Sequence, residues 1–249
     1  MRATPYHSQP RHAFSLIELL AAIAVIAVLA AILIPIGMRV QERGKIVQRM
    51  NNMRSLASAS LLYATDGDGS LPSLCNRTSM AWEYPLWYNQ IDAYLPDTLV
   101  EVEFENGKAG LGKEVLMCPL VPDGRHRIAG QHYSSDYAGN SALFLTPAEA
   151  QLLGTPLKLT SIANPEDVVM VLSAVRPDTG NPVWYMNAKY YVNSPTGSST
   201  QPGDQWTSNS FVPAVFADGH YEEIPIDDFR ENRERYLLPE NVDVDDIGG

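Results

Sequence analysis

Cysteine is nearly absent from this chain of 249 residues: Cys75 and Cys118 are the only two. That count excludes a disulfide-dense scaffold and a four-cysteine zinc site. Two readings of the pair stay open, a disulfide formed after export to an oxidising compartment and two separate buried thiols, because spacing in sequence does not fix the Cα separation. Basic residues are sparse past residue 54. Residues 1–54 hold Arg2, Arg11, Arg39, Arg43, Lys45, Arg49 and Arg54 against Glu18 and Glu42, which leaves 11 Lys/Arg and 27 Asp/Glu, a net −16, for residues 55–249. So acidic a stretch repels phosphate, and no nucleic-acid partner is expected.

Catalytic signatures are missing too. His126, His132, Asp136, Ser173, Asp218 and His220 are chemically capable side chains, but none lies in a Gly-x-Ser-x-Gly elbow, a His-Glu-x-x-His helix or a phosphate-binding loop. Asp66-Gly67-Asp68-Gly69 imitates the opening of a calcium loop, yet Leu71 and Arg77 stand where that loop needs Gly and Glu. It reads instead as a helix stop before Pro72. Asp243, Asp245 and Asp246 read as a solvated acidic tail. The expectation is no catalytic residue, no enzyme, no metal and no cofactor. No internal repeat is visible, and 45% hydrophobic with 19% charged residues suits one sizeable core.

What the chain does have is one long apolar run. Residues 14–36, FSLIELLAAIAVIAVLAAILIPI, are apolar apart from Ser15 and Glu18. As a helix they span about 34 Å, enough to cross a bilayer. A secretory signal peptide has a shorter run, of about 7–15 residues, before a small-residue cleavage site, which Ala22-Ile23-Ala24 imitates. Glu18 is the anomaly, since an acid within a spanning segment costs roughly 2.5–3.5 kcal/mol on insertion scales and generally has a partner. Its other reading is interfacial, four residues after Phe14 and within reach of head groups. Arg39, Arg43, Lys45 and Arg49 after the run outnumber Arg2 and Arg11 before it, so the positive-inside count taken alone favours a cytoplasmic C-terminus.

The short basic leader, then Ala13-Phe14-Ser15-Leu16-Ile17-Glu18-Leu19-Leu20, then an apolar run interrupted by Pro35, resembles the type IV pilin and type II secretion pseudopilin superfamily. The resemblance implies that a prepilin peptidase cuts between Ala13 and Phe14 and methylates the new Phe14 amine. Ala13 stands where that family usually has Gly. Glu18 would match the family's glutamate, which meets the N-terminal amine of a neighbouring subunit. It implies an inner-membrane, single-pass protein whose C-terminal domain lies outside the cytoplasm, in the periplasm or in a surface filament. The implied partners are the peptidase, other pilin-like subunits, the inner-membrane assembly platform and membrane lipid.

Beyond the run, Ile46, Met50, Met53, Ala57, Leu61 and Ala64 recur at spacings of three and four, one face of an amphipathic helix. Arg39, Glu42, Arg43, Lys45, Arg49 and Arg54 mostly occupy the remaining surface. Pro35 and Gly37 favour a bend or local melting of this long helix. Downstream, residues 86–95 predict a short helix ended by Pro96. Val100, Val102 and Phe104, a turn at Asn106-Gly107, and Val115-Leu116-Met117 predict a hairpin. Thr146-Pro147-Ala148-Glu149 predicts a capped helix stopped by Gly154. Residues 168–172 predict a central strand, and residues 212–216 and 221–226 a hairpin turning at Asp218-Gly219.

Met117-Cys118-Pro119, Tyr137-Ala138-Gly139-Asn140 and Phe216-Ala217-Asp218-Gly219-His220 look like the large pilin-like group common in planctomycete-type bacteria. That group's C-terminal signature is His, nine residues, then Asp-Gly; Ser208 stands at the histidine position here. The expected organisation is α+β: a leader (1–13), a transmembrane helix (14–36), its amphipathic continuation (37–65), and a β-rich head with short helices and an acidic tail (66–249). The expected role is a structural subunit of a type II secretion or type IV pilus-like assembly. The alternative is a membrane-tethered carbohydrate-binding module using Trp82, Trp87, Trp184 and Trp206 as flat platforms.

Overall fold

The computed structural model describes residues 16–75, 85–126, 128–129, 132–146, 157–203 and 210–242. The expected helix from Thr146 and the acidic tail fall outside them. Compact packing divides the chain into residues 1–44 and residues 45–249.

Helix α1 runs without interruption over Leu16–Asp66, with Pro35 inside it. Of the bend or local melting expected at Pro35 and Gly37, the uninterrupted helix shows no melting in the single chain. Pro35 removes one amide donor, the one Ala31 would have accepted, and the bonds on either side hold the helix through it. A β-carbon at Gly37 would meet nothing within 4 Å, so no packing demands glycine there.

From Lys45 onward α1 belongs to the head. It buries Arg49, Asn52, Met53, Leu56, Ala57, Ala59, Ser60 and Ala64, while Ile46, Met50 and Leu61 are half-buried. The stripe is shifted from the expected one, and Arg49, assigned to the solvent face, is buried. Alanines and a serine along this face let the backbone lie close to the sheet. Helix α2 is shorter than expected, Trp87–Gln90, followed by a 3-10 turn at Asp92–Tyr94.

The strands are β1 (Leu99–Glu103), β2 (Ala109–Lys113), β3 (Ile128–Ala129), β4 (His132–Tyr133), β5 (Ala138–Asn140), β6 (Val169–Leu172), β7 (Ala174–Val175), β8 (Tyr185–Met186), β9 (Gln201–Pro202), β10 (Phe211–Phe216) and β11 (Tyr221–Pro225). The main sheet has the order β11-β10-β6-β5-β8, antiparallel except for the β5–β8 pair. β6 takes the central place expected of residues 168–172. One face of the sheet packs on α1, with Val171 and Val215 meeting Met53, Leu56 and Ala57 in one cluster. The other face packs on the helices Ala188–Asn193, Ile226–Glu231 and Arg233–Leu237 through Leu172, Val212, Phe229 and Leu237. The fold is α+β: a long N-terminal helix with a β-rich head carrying short helices.

The first hairpin differs from expectation in its second strand. β1 pairs with Ala109–Lys113, and residues 114–116 form a 3-10 turn. Asn106-Gly107 does make the turn, with Gly107 at φ +73°, where β-branched residues would be strained.

Candidate functional site

Over residues 16–36, α1 carries a single ionisable side chain among apolar ones, Glu18. Glu18 sits in the first turn of α1, exposed like its neighbours Ile17 and Leu19. The bilayer-length window of this helix is wholly unburied within the chain, and among the described residues α1 alone is long and apolar enough to cross a membrane. So much exposed hydrocarbon is unfavourable in water and favourable in lipid. Ala13 and Phe14, the expected cleavage position, lie outside the described residues.

In the head, the three motif segments converge on the packing beneath α1. Gly139 is required by contact: a β-carbon would stand 2.5 Å from Phe144 Cδ2 and 3.1 Å from Trp87 Cε2. Trp87 stacks on Phe144 with centroids 5.3 Å apart, and its indole N–H donates to the Trp184 carbonyl at 2.7 Å. Asn140 ties three segments together. Its amide donates to the carbonyls of Val169 and Leu237, and its Oδ1 accepts from the Ala142 amide.

At the Asp218-Gly219 turn, Gly219 takes φ +93° and Asp218 Oδ1 accepts from the His220 amide. The Ala217 and Asp218 amides donate to Val168 and Pro165, which fixes the hairpin tip against the entry to β6. Ser208 lies outside the described residues.

Two polar contacts that the sequence does not announce hold α1 to the head. Arg49 donates to Glu223 Oε1 on β11 at 2.6 Å, beside the Tyr221 hydroxyl. Burial pushes the Tyr221 phenol up to about 12; Arg49 pulls it down and Glu223 raises it. Asn52 donates to the carbonyls of Glu114 and Met117 and to the Tyr137 hydroxyl. The one available signal was spacing: Arg49, Asn52, Met53, Leu56, Ala57 and Ser60 continue one helical face.

Of the chemically capable residues, His126 and Asp136 come together. His126 Nδ1 lies 2.7 Å from Asp136 Oδ2, which also accepts from the Cys118 amide. Burial pushes the imidazole down, and the Asp136 carboxylate more than offsets this, leaving it above its ordinary value. Burial raises the Asp136 carboxyl. His126 lines a groove of about 350 Å³ with Lys45, Gln48, Val102, Glu114 and Met117. His220 instead pairs with Asp218 at the exposed turn, 2.6 Å away, and the side chain of His132 lies outside the described residues.

Cys75 and Cys118 are both buried and are not joined in a disulfide. Each is held by its own partner: Cys75 bridges to Leu86, and the Cys118 amide binds Asp136. Among the described residues no three His, Cys, Asp or Glu side chains are placed to hold a metal ion. Trp87 and Trp184 are buried, which removes both as sugar-stacking platforms; Trp82 and Trp206 lie outside the described residues.

Residues 9–34 match the prokaryotic N-terminal methylation motif. No curated protein and no solved structure matches the chain. The matched segment contains Ala13, Phe14 and Glu18 and most of the apolar run, and stops before the head begins.

Proposed function

We propose that the chain is a structural, non-catalytic subunit of a type II secretion or type IV pilus-like assembly, made as a precursor and processed by prepilin peptidase. The observation that carries this reading is the methylation motif over residues 9–34, continuous with an apolar helix long enough to span a bilayer. Cleavage frees Phe14 as an N-methylated terminus, α1 anchors the protein in the inner membrane, and the head lies outside the cytoplasm. The flanking Arg39, Arg43 and Lys45 oppose this orientation on charge counting alone. Large domains translocate largely regardless of charge, so the leader outweighs them. Trp87 and Trp184 serve the core, which leaves the tethered carbohydrate-binding alternative without two of its four platforms.

The test is intact-mass and N-terminal analysis of membrane fractions from hosts with and without prepilin peptidase. The expected mature chain begins at methylated Phe14 in the first host and retains residues 1–13 in the second. A start after Ala24, or a soluble mature form, overturns the reading.

A further inference from the structure

The β1–β2 ribbon is a two-stranded sheet separate from the main one. Its inner face carries Val102 toward the core, with Phe104 just past the strand. Its outer face carries Leu99, Glu101 and Glu103 on β1 and Ala109 and Leu111 on β2, all exposed. Leu111 stands directly across from Glu101, and Ala109 across from Glu103. Leu99 and Leu111 are 52% and 54% exposed, unusually open for leucine on a folded head. The cation that the register would place on this face, Lys113 opposite Leu99, is buried and paired with Asp92 and Asp97. The outer face is therefore acidic and apolar at once.

A surface of opposite charge and the same apolar character exists on α1. Ile36, Arg39, Val40 and Arg43 follow the helical repeat as one exposed stripe, with Val40 63% exposed. Glu42 is the only acid between residues 19 and 65. The spacings agree as well as the signs. Arg39 and Arg43 are one turn apart, about 6 Å along the axis, and Glu101 and Glu103 are two residues apart on a strand, about 6.7 Å.

We propose that the outer face of the β1–β2 ribbon is an intersubunit surface, and that its partner is the basic segment of α1 around Arg39 and Arg43 in a second copy of this chain. The proposal rests on the subunit reading above. Glu101 faces Arg39 and Glu103 faces Arg43, which brings Leu99 and Leu111 over Ile36 and Val40. Opposite charges repeating at matched spacing set the register of the contact, and the leucines supply the buried apolar area.

The test uses the full chain in its membrane, as two differently tagged copies, one carrying Val40→Cys and the other Leu111→Cys. The parent chain, with both native thiols buried, is the blank. A short thiol crosslinker is expected to join the two tags. Glu101→Lys with Glu103→Lys on one copy, or Arg39→Glu with Arg43→Glu on the other, lowers the yield by about three- to tenfold. Both reversals together restore it to within about twofold of the parent pair. A parallel pair carrying Ala21→Cys reports contact between anchors.

If anchors crosslink and residues 40 and 111 do not, this surface is wrong while the subunit reading stands. If neither pair forms, the subunit reading itself fails. If only the arginine reversals lower the yield and the double reversal does not restore it, the basic segment meets anionic lipid rather than the ribbon, and the proposal falls.

Discussion

Gly139 leaves no room for a methyl group between the rings of Phe144 and Trp87. Gly139→Ala must therefore displace a stacked aromatic pair on a strand that also feeds the central sheet, and overpacking of this kind costs about 1–3 kcal/mol. Chemical denaturation of the full chain in detergent checks it; an unchanged midpoint would show that the Trp87–Phe144 stack yields freely. Nearby, Cys75 and Cys118 carry a prediction of opposite sign to the disulfide reading. Protein denatured without reductant should bind two equivalents of a thiol reagent, and no labelling at all would mean that the pair is oxidised after export. Arg49 shows how a residue can be read wrongly on type alone. A cation on a helix is ordinarily solvated, but this one is 2% exposed and paired with Glu223 at 2.6 Å, and a glutamate 174 positions away helps make that burial tolerable.

At the scale of elements, the His126–Asp136 pair joins the loop after the ribbon to the segment leading into β5. Both groups hold their protons more tightly in the folded state than in the unfolded one, so both contribute with the same sign. The folded state binds more protons, and its stability falls as pH rises. For His126 the contribution is complete below its unfolded value of 6.5 and is lost as pH climbs through its raised folded value. The melting temperature of the full chain should fall as pH rises above 6.5, and His126→Gln should flatten that slope. A slope unchanged by the substitution would assign the titration elsewhere.

The same elements show what sequence can carry. The central strand at residues 168–172 and the hairpin around Asp218-Gly219 were legible because their signals are local: a dense β-branched run, and a dipeptide suited to positive φ. Val115-Leu116-Met117 looked equally strand-like, but Val115 and Leu116 turn inward from a 3-10 turn, and the Gly-bearing Ala109–Lys113 takes the pairing. What decides there is tertiary: Gly112 lies against the Met117 side chain, 3.1 Å from its sulfur to a built β-carbon, and no window of sequence reports that. The candidate site divides the same way. The leader and Glu18 are read from a contiguous motif, whereas the Asn52 contacts and the His126–Asp136 pair exist only once distant segments meet.

On the scale of the whole molecule, the apolar residues of α1 are exposed in the single chain, and the proposed assembly would bring such helices beside one another in lipid. Glu18 is the one acid among them. Under the subunit reading, its carboxylate faces the Phe14 amine of a neighbour, where each charge is costly alone in hydrocarbon and the pair fixes axial register. Glu18→Ala should then leave the head folded and insertion intact or improved, since it removes an insertion cost of roughly 2.5–3.5 kcal/mol. Incorporation into an assembly should fall, because the neighbour's amine is left buried without its counter-charge. A carboxylate that only reaches head groups meets water in monomer and assembly alike, and its loss changes nothing between subunits. Crosslinking of anchors through Ala21→Cys, at matched membrane levels with and without Glu18→Ala, separates the two: a lower yield in the alanine variant supports the pairing, and equal yields would leave Glu18 no part in joining one copy to the next.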